Sequence, residues 1–337
     1  MLSVGFTTLK ATLKKRKKVK NKAPRNKTLF LNEEDKIRYS KRLVTFAENA
    51  KVEDVVGKTI NQDLFEVASF LPESFVDLLI VDPPYNLNKN FNGKIFKKSS
   101  FDEYEIYTRS WLEKIIHTLK PQASIYVCSD WETSLVVYKV LREFFIVRNR
   151  ITWEREKGRG AKANWKNCSE DIWFCTNAND YFFDTEAVKL KRKVIAPYTE
   201  NGKRKDWNEE ENGNFRLTCA SNLWTDISVP FWSMPENTEH PTQKPEKLIA
   251  KLILASSKTN DVVFDPFLGS GTTSVVARKL GRWFLGVEIN DEYACLAEKR
   301  IKMSELDASI QGYSGGVFWE RNTLAMQKKK GKTKINR

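Results

Sequence analysis

Short apolar runs and stretches of helical periodicity take turns along most of this chain, and that alternation leaves few architectures open. Phe75–Val81 (FVDLLIV), Ser124–Cys128, Ile146–Trp153, Glu170–Cys175 (EDIWFC), Asp261–Asp265 and Trp283–Glu288 read as strands. Between them, residues 103–119 carry Tyr104, Tyr107, Trp111, Leu112, Ile115, Ile116 and Leu119 on one stripe at helical spacing. Trp131–Phe145, Glu246–Ser257, Thr272 to about Leu280 and Asp291–Ser304 read as helices too, and Pro245 suits a first helical turn. Residues 154–235 interrupt the pattern, being rich in Asn, Lys, Arg, Glu and Trp with weak periodicity apart from the EDIWFC run. Alternation on both sides of an irregular block argues for one doubly wound α/β sheet, mostly parallel, with a large insertion.

The 337 residues include 57 Lys and Arg against 43 Asp and Glu. Ten of the basic residues fall in 1–28 and six in 327–337, with no acid in either stretch, so 41 remain against 43 acids in the body. The excess charge therefore sits in two arms, which suit phosphate backbones through counterion release; solvated tails are the plainer reading. No apolar run reaches the ~20 residues a membrane span needs, and no secretory leader is expected, because residues 1–28 are basic. The five Cys are scattered, odd in number and form no CxxC pair, which fits a cytoplasmic chain without a disulfide framework. Only His117 and His240 are present, so no zinc site is expected.

Two motifs carry chemistry. The first, Phe264–Thr273 (FDPFLGSGTT), leaves a strand and opens a helix. Gly269 and Gly271 permit a tight turn with close backbone approach to a ligand, and the helix start offers free N–H groups. Glu288 ends the next strand, where an acid accepts bonds from ribose hydroxyls in dinucleotide folds. A phosphate-binding loop is disfavoured, since no Lys precedes the Thr pair. A lone GxG is usually a turn that binds nothing; Asp265 and Glu288 make this one a nucleoside site. The second motif, Asp82-Pro83-Pro84-Tyr85, follows a strand directly. Its prolines fix φ twice and remove two donors, so an acid, outward carbonyls and an aromatic face are held at a sheet's C-terminal edge, where ligands bind in open α/β folds. Alone it would read as a rigid loop exit.

Together with His240-Pro-Thr-Gln-Lys-Pro245, these motifs resemble the amino-group DNA methyltransferases that use S-adenosylmethionine. The order, DPPY before the Gly motif with a variable block between, resembles their β class, a circular permutation; the resemblance covers roughly 55–305. It implies a class I methyltransferase fold with a seven-stranded sheet. It also implies that Asp82, Pro83, Pro84 and Tyr85 are catalytic. The cofactor would meet Asp265, Gly269, Ser270 and Gly271, with Phe267 and Thr272 beside them, Glu288 at the ribose, and Asp82 and Lys244 near the methionine end. Asp63 would lie near the adenine, although Gln62 stands where the family usually has Gly. No metal is implied.

On this reading Asp82 and the Pro83 carbonyl accept the hydrogens of an adenine N6 amine while Tyr85 stacks on the flipped-out base. Cytosine N4 is the runner-up, because the cytosine enzymes usually carry Ser at the Asp82 position. A non-catalytic DNA-binding protein on a decayed fold, and an RNA or protein-glutamine methyltransferase, are the competing classes. The organisation expected is a basic arm (1–28), a catalytic half (29–153), a target-recognition region (154–235), a cofactor half (236–310) and a C-terminal segment with a basic tail (311–337). Arg155, Lys157, Arg159, Lys162, Asn164 and Lys166, then Lys189–Lys193 and Lys203–Lys205, with Trp165, Trp207 and Trp224 among them and Trp153 at the edge, are candidates for reading bases; a solvated basic face with core tryptophans is the plainer reading of any one of them. Double-stranded DNA is the partner implied, with a homodimer and a cognate restriction endonuclease further arrangements of the family. The Tyr104/Trp111 stripe, Cys128 and Cys295 are read as packing.

Overall fold

The computed structural model describes residues 23–91, 94–155 and 163–328. Most of the N-terminal arm, the tail beyond 328, and Lys157, Arg159 and Lys162 lie outside the described residues.

The central sheet is made of β1 (Lys58–Ile60), β2 (Val76–Val81), β3 (Leu119–Asp130), β4 (Ile146–Glu154), β5 (Ser169–Thr176), β6 (Leu223–Trp224), β7 (Val262–Asp265) and β8 (Trp283–Val287). Their spatial order is β1-β8-β7-β2-β3-β5-β4-β6. Only β5 runs against its neighbours. The resemblance implies seven strands; the eighth is the two-residue β6, paired to β4 and too short to leave a periodic trace.

Side chains alternate across the sheet. The first helix, α1 (Glu33–Ser40), precedes the sheet in the chain. Leu79 and Val81 of β2, with Ile125 and Val127 of β3, face α2 (Phe101–Ile115) and α3 (Ser134–Phe144). Leu78, Ile80, Tyr126 and Cys128 face the opposite layer, which includes α4 (Glu246–Ser256) and α5 (Thr272–Lys279). Both sheet faces are covered, which is why these strands are apolar throughout. Ser100 and Glu103 form a capping box that starts α2, and Asn290 caps α6 (Asp291–Met303).

The DPPY loop leaves the C-terminal end of β2, and the Gly loop leaves that of β7, its hydrogen-bonded neighbour in the sheet. Chain order separates the two motifs; sheet order makes them adjacent.

The insertion is more regular than its sequence suggests. Leu190–Lys193, Asn208–Glu210 and Gly213–Thr218 pair into a second sheet. Tyr313–Ser314 and Val317–Trp319, which sequence reading sets apart as a C-terminal segment, complete that sheet through Leu190–Lys193. Leu190–Lys193 and Asn208–Glu210 are dense in charge and the other strands are mostly two or three residues long, so neither alternation nor an apolar run reveals the sheet. Leu190, Trp224, Ile227 and Phe318 join the same buried cluster as α4.

Candidate active site

Asp82, Pro83, Pro84 and Tyr85 line one cavity of about 380 Å³ with Asp63, Lys244, Asp265, Phe267, Gly269, Ser270, Thr272 and Glu288. That volume is within the ~300–1,000 Å³ typical of ligand pockets. Gly271 is not among the lining residues. It stands at φ +80° as the N-cap of α5, and a Cβ there would come within 2.5 Å of the Ala297 Cβ and 2.8 Å of its Cα. Its glycine is required by the approach of α6.

Each loop is held locally. Asn86, just past DPPY, donates to the Ser99 carbonyl and accepts from the Ser99 N–H, at 2.9 and 2.8 Å. The Tyr104 hydroxyl donates to the Pro84 carbonyl at 3.2 Å, and Trp111 meets the Phe267 ring edge-on at 5.7 Å. The aromatic stripe of α2 is buried, as its spacing suggests, and it also braces both motif loops; Tyr107 lines the cavity itself. In the Gly loop, Asp265 accepts from the Phe267 N–H at 3.0 Å and the Thr273 hydroxyl at 2.6 Å. Arg300 of α6 fixes Ser270 and Thr272 from behind, donating to the Ser270 carbonyl and the Thr272 hydroxyl. Glu288 accepts from the Gly269 N–H at 2.8 Å and the Asn290 N–H at 2.7 Å. At the first strand's exit, Gln62 clamps the Phe46 backbone through both its amide atoms, and Asp63 accepts from the Phe65 N–H. Gln62 is thus an anchor for the loop that presents Asp63.

Lys244 enters on the segment before α4. Gln243 pins that segment by accepting from the Thr238 N–H and hydroxyl and donating to the Glu236 carbonyl. The Lys244 ammonium lies 2.7 Å from Asp82, 3.2 Å from Glu170 and 3.2 Å from the Tyr85 hydroxyl. Arg155 pairs with the other Glu170 oxygen. Burial works against the Lys244 ammonium, but Asp82 and Glu170 outweigh it and hold its pKa above the ordinary lysine value. Burial, reinforced by the Asp82 and Glu170 charges, pushes the Tyr85 hydroxyl well above the ordinary tyrosine value, so it stays protonated. Burial raises Asp265 to about 7 despite its two hydrogen bonds.

Two polar members of this constellation escape sequence reading. Glu170 is one of two adjacent acids, with Asp171, that lead into the apolar run Ile172–Cys175, an oddity that could have flagged it. Arg155, which its basic neighbourhood suggests for base reading, turns instead into the cavity. Elsewhere in the insertion, Lys191, Arg204, Lys205 and Arg216 pair with Glu210, Glu209, Glu200 and Asp206. Trp165 is 93% exposed, whereas Trp153 and Trp224 are core residues. Among the described residues no helix is long and apolar enough to cross a membrane.

Known proteins supply independent grounds for classification. The sequence model of the family described as DNA methylase matches residues 76–299. The DNA adenine methyltransferase YhdJ of Escherichia coli K12 is 33% identical over 253 residues, 73% of this chain and 82% of its own. The type II methyltransferase M.HpaI of Haemophilus parainfluenzae is 31% identical over 246 residues, 72% of each chain. Among solved structures, the PvuII DNA methyltransferase (cytosine-N4-specific) has a TM-score of 0.52 at 18% identity, covering 77% of this chain and 93% of its own; it shares the fold. A family match that takes in both motif loops and the cavity between them, with relatives at this identity, makes the chain a member of the DNA methylase family.

Proposed function

We propose that the protein transfers a methyl group from S-adenosylmethionine to the N6 amine of a flipped-out adenine at a specific site in double-stranded DNA. The observation that carries this is the meeting of the two motif loops in one cavity, which Asp82 and Tyr85 line together with Asp265 and Glu288. The cofactor's chemistry fits these residues: two carboxylates for hydroxyl and cationic groups, the Phe267 ring for an apolar surface, and Gly269 at φ +54°, which sets backbone rather than side chain against the cavity. When bound, that cofactor supplies a methyl group activated by a sulfonium.

The chain's residues would then raise the reactivity of a weak nucleophile, since the adenine amine shares its lone pair with the ring. The Asp82 carboxylate and the Pro83 carbonyl each accept one amine hydrogen, drawing the nitrogen toward tetrahedral geometry. The nitrogen gains the methyl as the sulfonium carbon–sulfur bond breaks, and it then sheds one proton, for which Asp82 is the adjacent carboxylate. Most of the acceleration comes from positioning and fixed dipoles. Tyr85, protonated and held by its neighbours, offers its ring to the base. Base extrusion costs roughly a few kcal/mol of unstacking, offset by contacts in the cavity.

Adenine is favoured by Asp at position 82 and by the similarity to YhdJ, a DNA adenine methyltransferase. The insertion, with exposed Trp165 beside Asn164, is the proposed reader of DNA sequence. A restriction endonuclease acting on the same site, a second copy of the chain as partner and a bacterial cytoplasm complete the proposal on resemblance.

Incubating the protein with labelled cofactor and duplex DNA, followed by nucleoside mass analysis, tests it. N6-methyladenine is expected, and Asp82→Ala should abolish it while cofactor binding survives. N4-methylcytosine would replace adenine as the target, and no transfer would favour a DNA-binding protein on a decayed fold.

A further inference from the structure

Glu170 has no part in the steps above, yet it is a buried carboxylate in direct contact with the residues that carry them out. It is the second residue of β5, the one antiparallel strand of the central sheet, in register with Asp130 on one side and Trp153 on the other. Its side chain is 5% exposed. One carboxylate oxygen pairs with Arg155; the other lies 3.2 Å from the Lys244 ammonium and 3.3 Å from the Tyr85 hydroxyl, which donates to it.

Lys244 therefore stands between two carboxylates, closer to Asp82. That placement conflicts with the chemistry asked of Asp82. Its oxygen must accept an amine hydrogen and face the positive charge that grows on nitrogen during transfer. An ammonium held on Asp82 Oδ1 competes with the first task and opposes the second, and with Lys244 and Glu170 both buried that opposition is poorly screened. Removing Lys244 altogether would leave Asp82 without its cation and Glu170 with Arg155 alone, which is costly too. A second carboxylate within reach resolves both problems, because the ammonium can shift toward Glu170 by rotation at the end of its own side chain. Arg155 keeps the set of four charges neutral.

We propose that Glu170 is a positioning residue for methyl transfer: it draws the Lys244 ammonium away from Asp82, the carboxylate that the target amine must reach. The proposal rests on the adenine-methylation reading and specifies how its site is prepared for the base.

The test uses the full-length protein, labelled cofactor at saturating concentration and methylatable duplex. Wild-type transfer is the control; its absence overturns the methylation reading and this one with it. Given that transfer, Glu170→Gln should lower the single-turnover rate roughly 10- to 100-fold, the scale of a small misplacement at the reacting centre. Cofactor affinity and KM for DNA should change little, and Glu170→Asp, which keeps the charge, should recover part of the rate. In a Lys244→Met background the same Glu170→Gln change should cost nothing further, because the group it acts through is gone. An unchanged rate in Glu170→Gln, a loss seen in KM rather than kcat, or an equal loss in both backgrounds would overturn the positioning role. Should Glu170→Gln alone fail to fold, comparing Glu170→Gln/Lys244→Met with Lys244→Met decides the matter, since there the carboxylate leaves together with one of its two cations and the charges of Asp82 and Arg155 still balance.

Discussion

The Tyr104 hydroxyl, on the second turn of its helix, donates to the carbonyl of Pro84 inside the DPPY motif at 3.2 Å. Pro84 cannot donate a hydrogen bond, so its carbonyl is what the core can grip, and the grip comes from a residue that is 4% exposed. Tyr104→Phe keeps the packing and removes the donor. It should destabilise the protein by about 1 kcal/mol in urea unfolding and slow transfer several-fold, with cofactor affinity preserved. Equal losses in cofactor binding and rate would show that the bond serves the whole fold instead.

Gly269 and Gly271 look interchangeable in the sequence, and their surroundings separate them. A Cβ on Gly271 would meet the Ala297 backbone at 2.8 Å, whereas a Cβ on Gly269 would meet the His240 ring at 3.0 Å. Both stand at positive φ, which costs an L-residue ~1–2 kcal/mol. Gly271→Ala should therefore lose markedly more stability than Gly269→Ala, through displacement of α6. Gly269→Ala should instead show its main effect in cofactor affinity, because that residue lines the cavity. Thermal unfolding paired with cofactor titration of the two variants checks the contrast.

Eight Lys and Arg lie in residues 1–22 with no acid among them. Truncation at residue 23 spares the bond from the Lys27 N–H to the Trp232 carbonyl, which ties the start of the described chain to the body. If the arm binds phosphates, affinity should fall to the same degree on target and unrelated duplexes. The dependence on salt should flatten too, by up to ~0.9 in logarithmic slope for each phosphate that the arm had neutralised. Fluorescence anisotropy across a salt series measures both. A loss confined to the target sequence would move the arm's role to base reading.

The central sheet was legible because its strands and helices each repeat one pattern long enough to register: Val76–Val81 and the α2 stripe appear within a few residues of their sequence-based bounds, whereas Leu119–Asp130 starts well before the Ser124–Cys128 run, within the stretch read as helix. Lys58–Ile60 was not, being three residues long, nor was the insertion's sheet, whose short strands are mostly polar. At the site, the motif residues were legible because they are contiguous. Glu170 and Arg155 were not, since their role depends on an antiparallel strand carrying one acid to Lys244, 74 positions later. Gly271 shows the opposite limit: a motif position whose residue type is set by a neighbouring helix as well as by any ligand.

Asp265 carries a cost of folding that its site imposes. Burial raises its carboxyl to about 7, against 3.8 for the free side chain. The folded state therefore holds a proton that the unfolded chain releases, and stability falls as pH rises from near 4 to near 7, then levels. The full penalty above pH 7 is roughly 4 kcal/mol. Asp265→Asn removes the charge and can keep both local bonds, accepting from Phe267 and donating to the Thr273 hydroxyl. It should raise the melting temperature at pH 8 clearly more than at pH 5.5, where the wild-type carboxyl is already protonated, and it should weaken cofactor binding. An equal gain at both pH values would mean that the carboxyl is not protonated in the folded chain near pH 6. Stability gained together with cofactor affinity weakened would mark Asp265 as a group retained for binding against the preference of the fold.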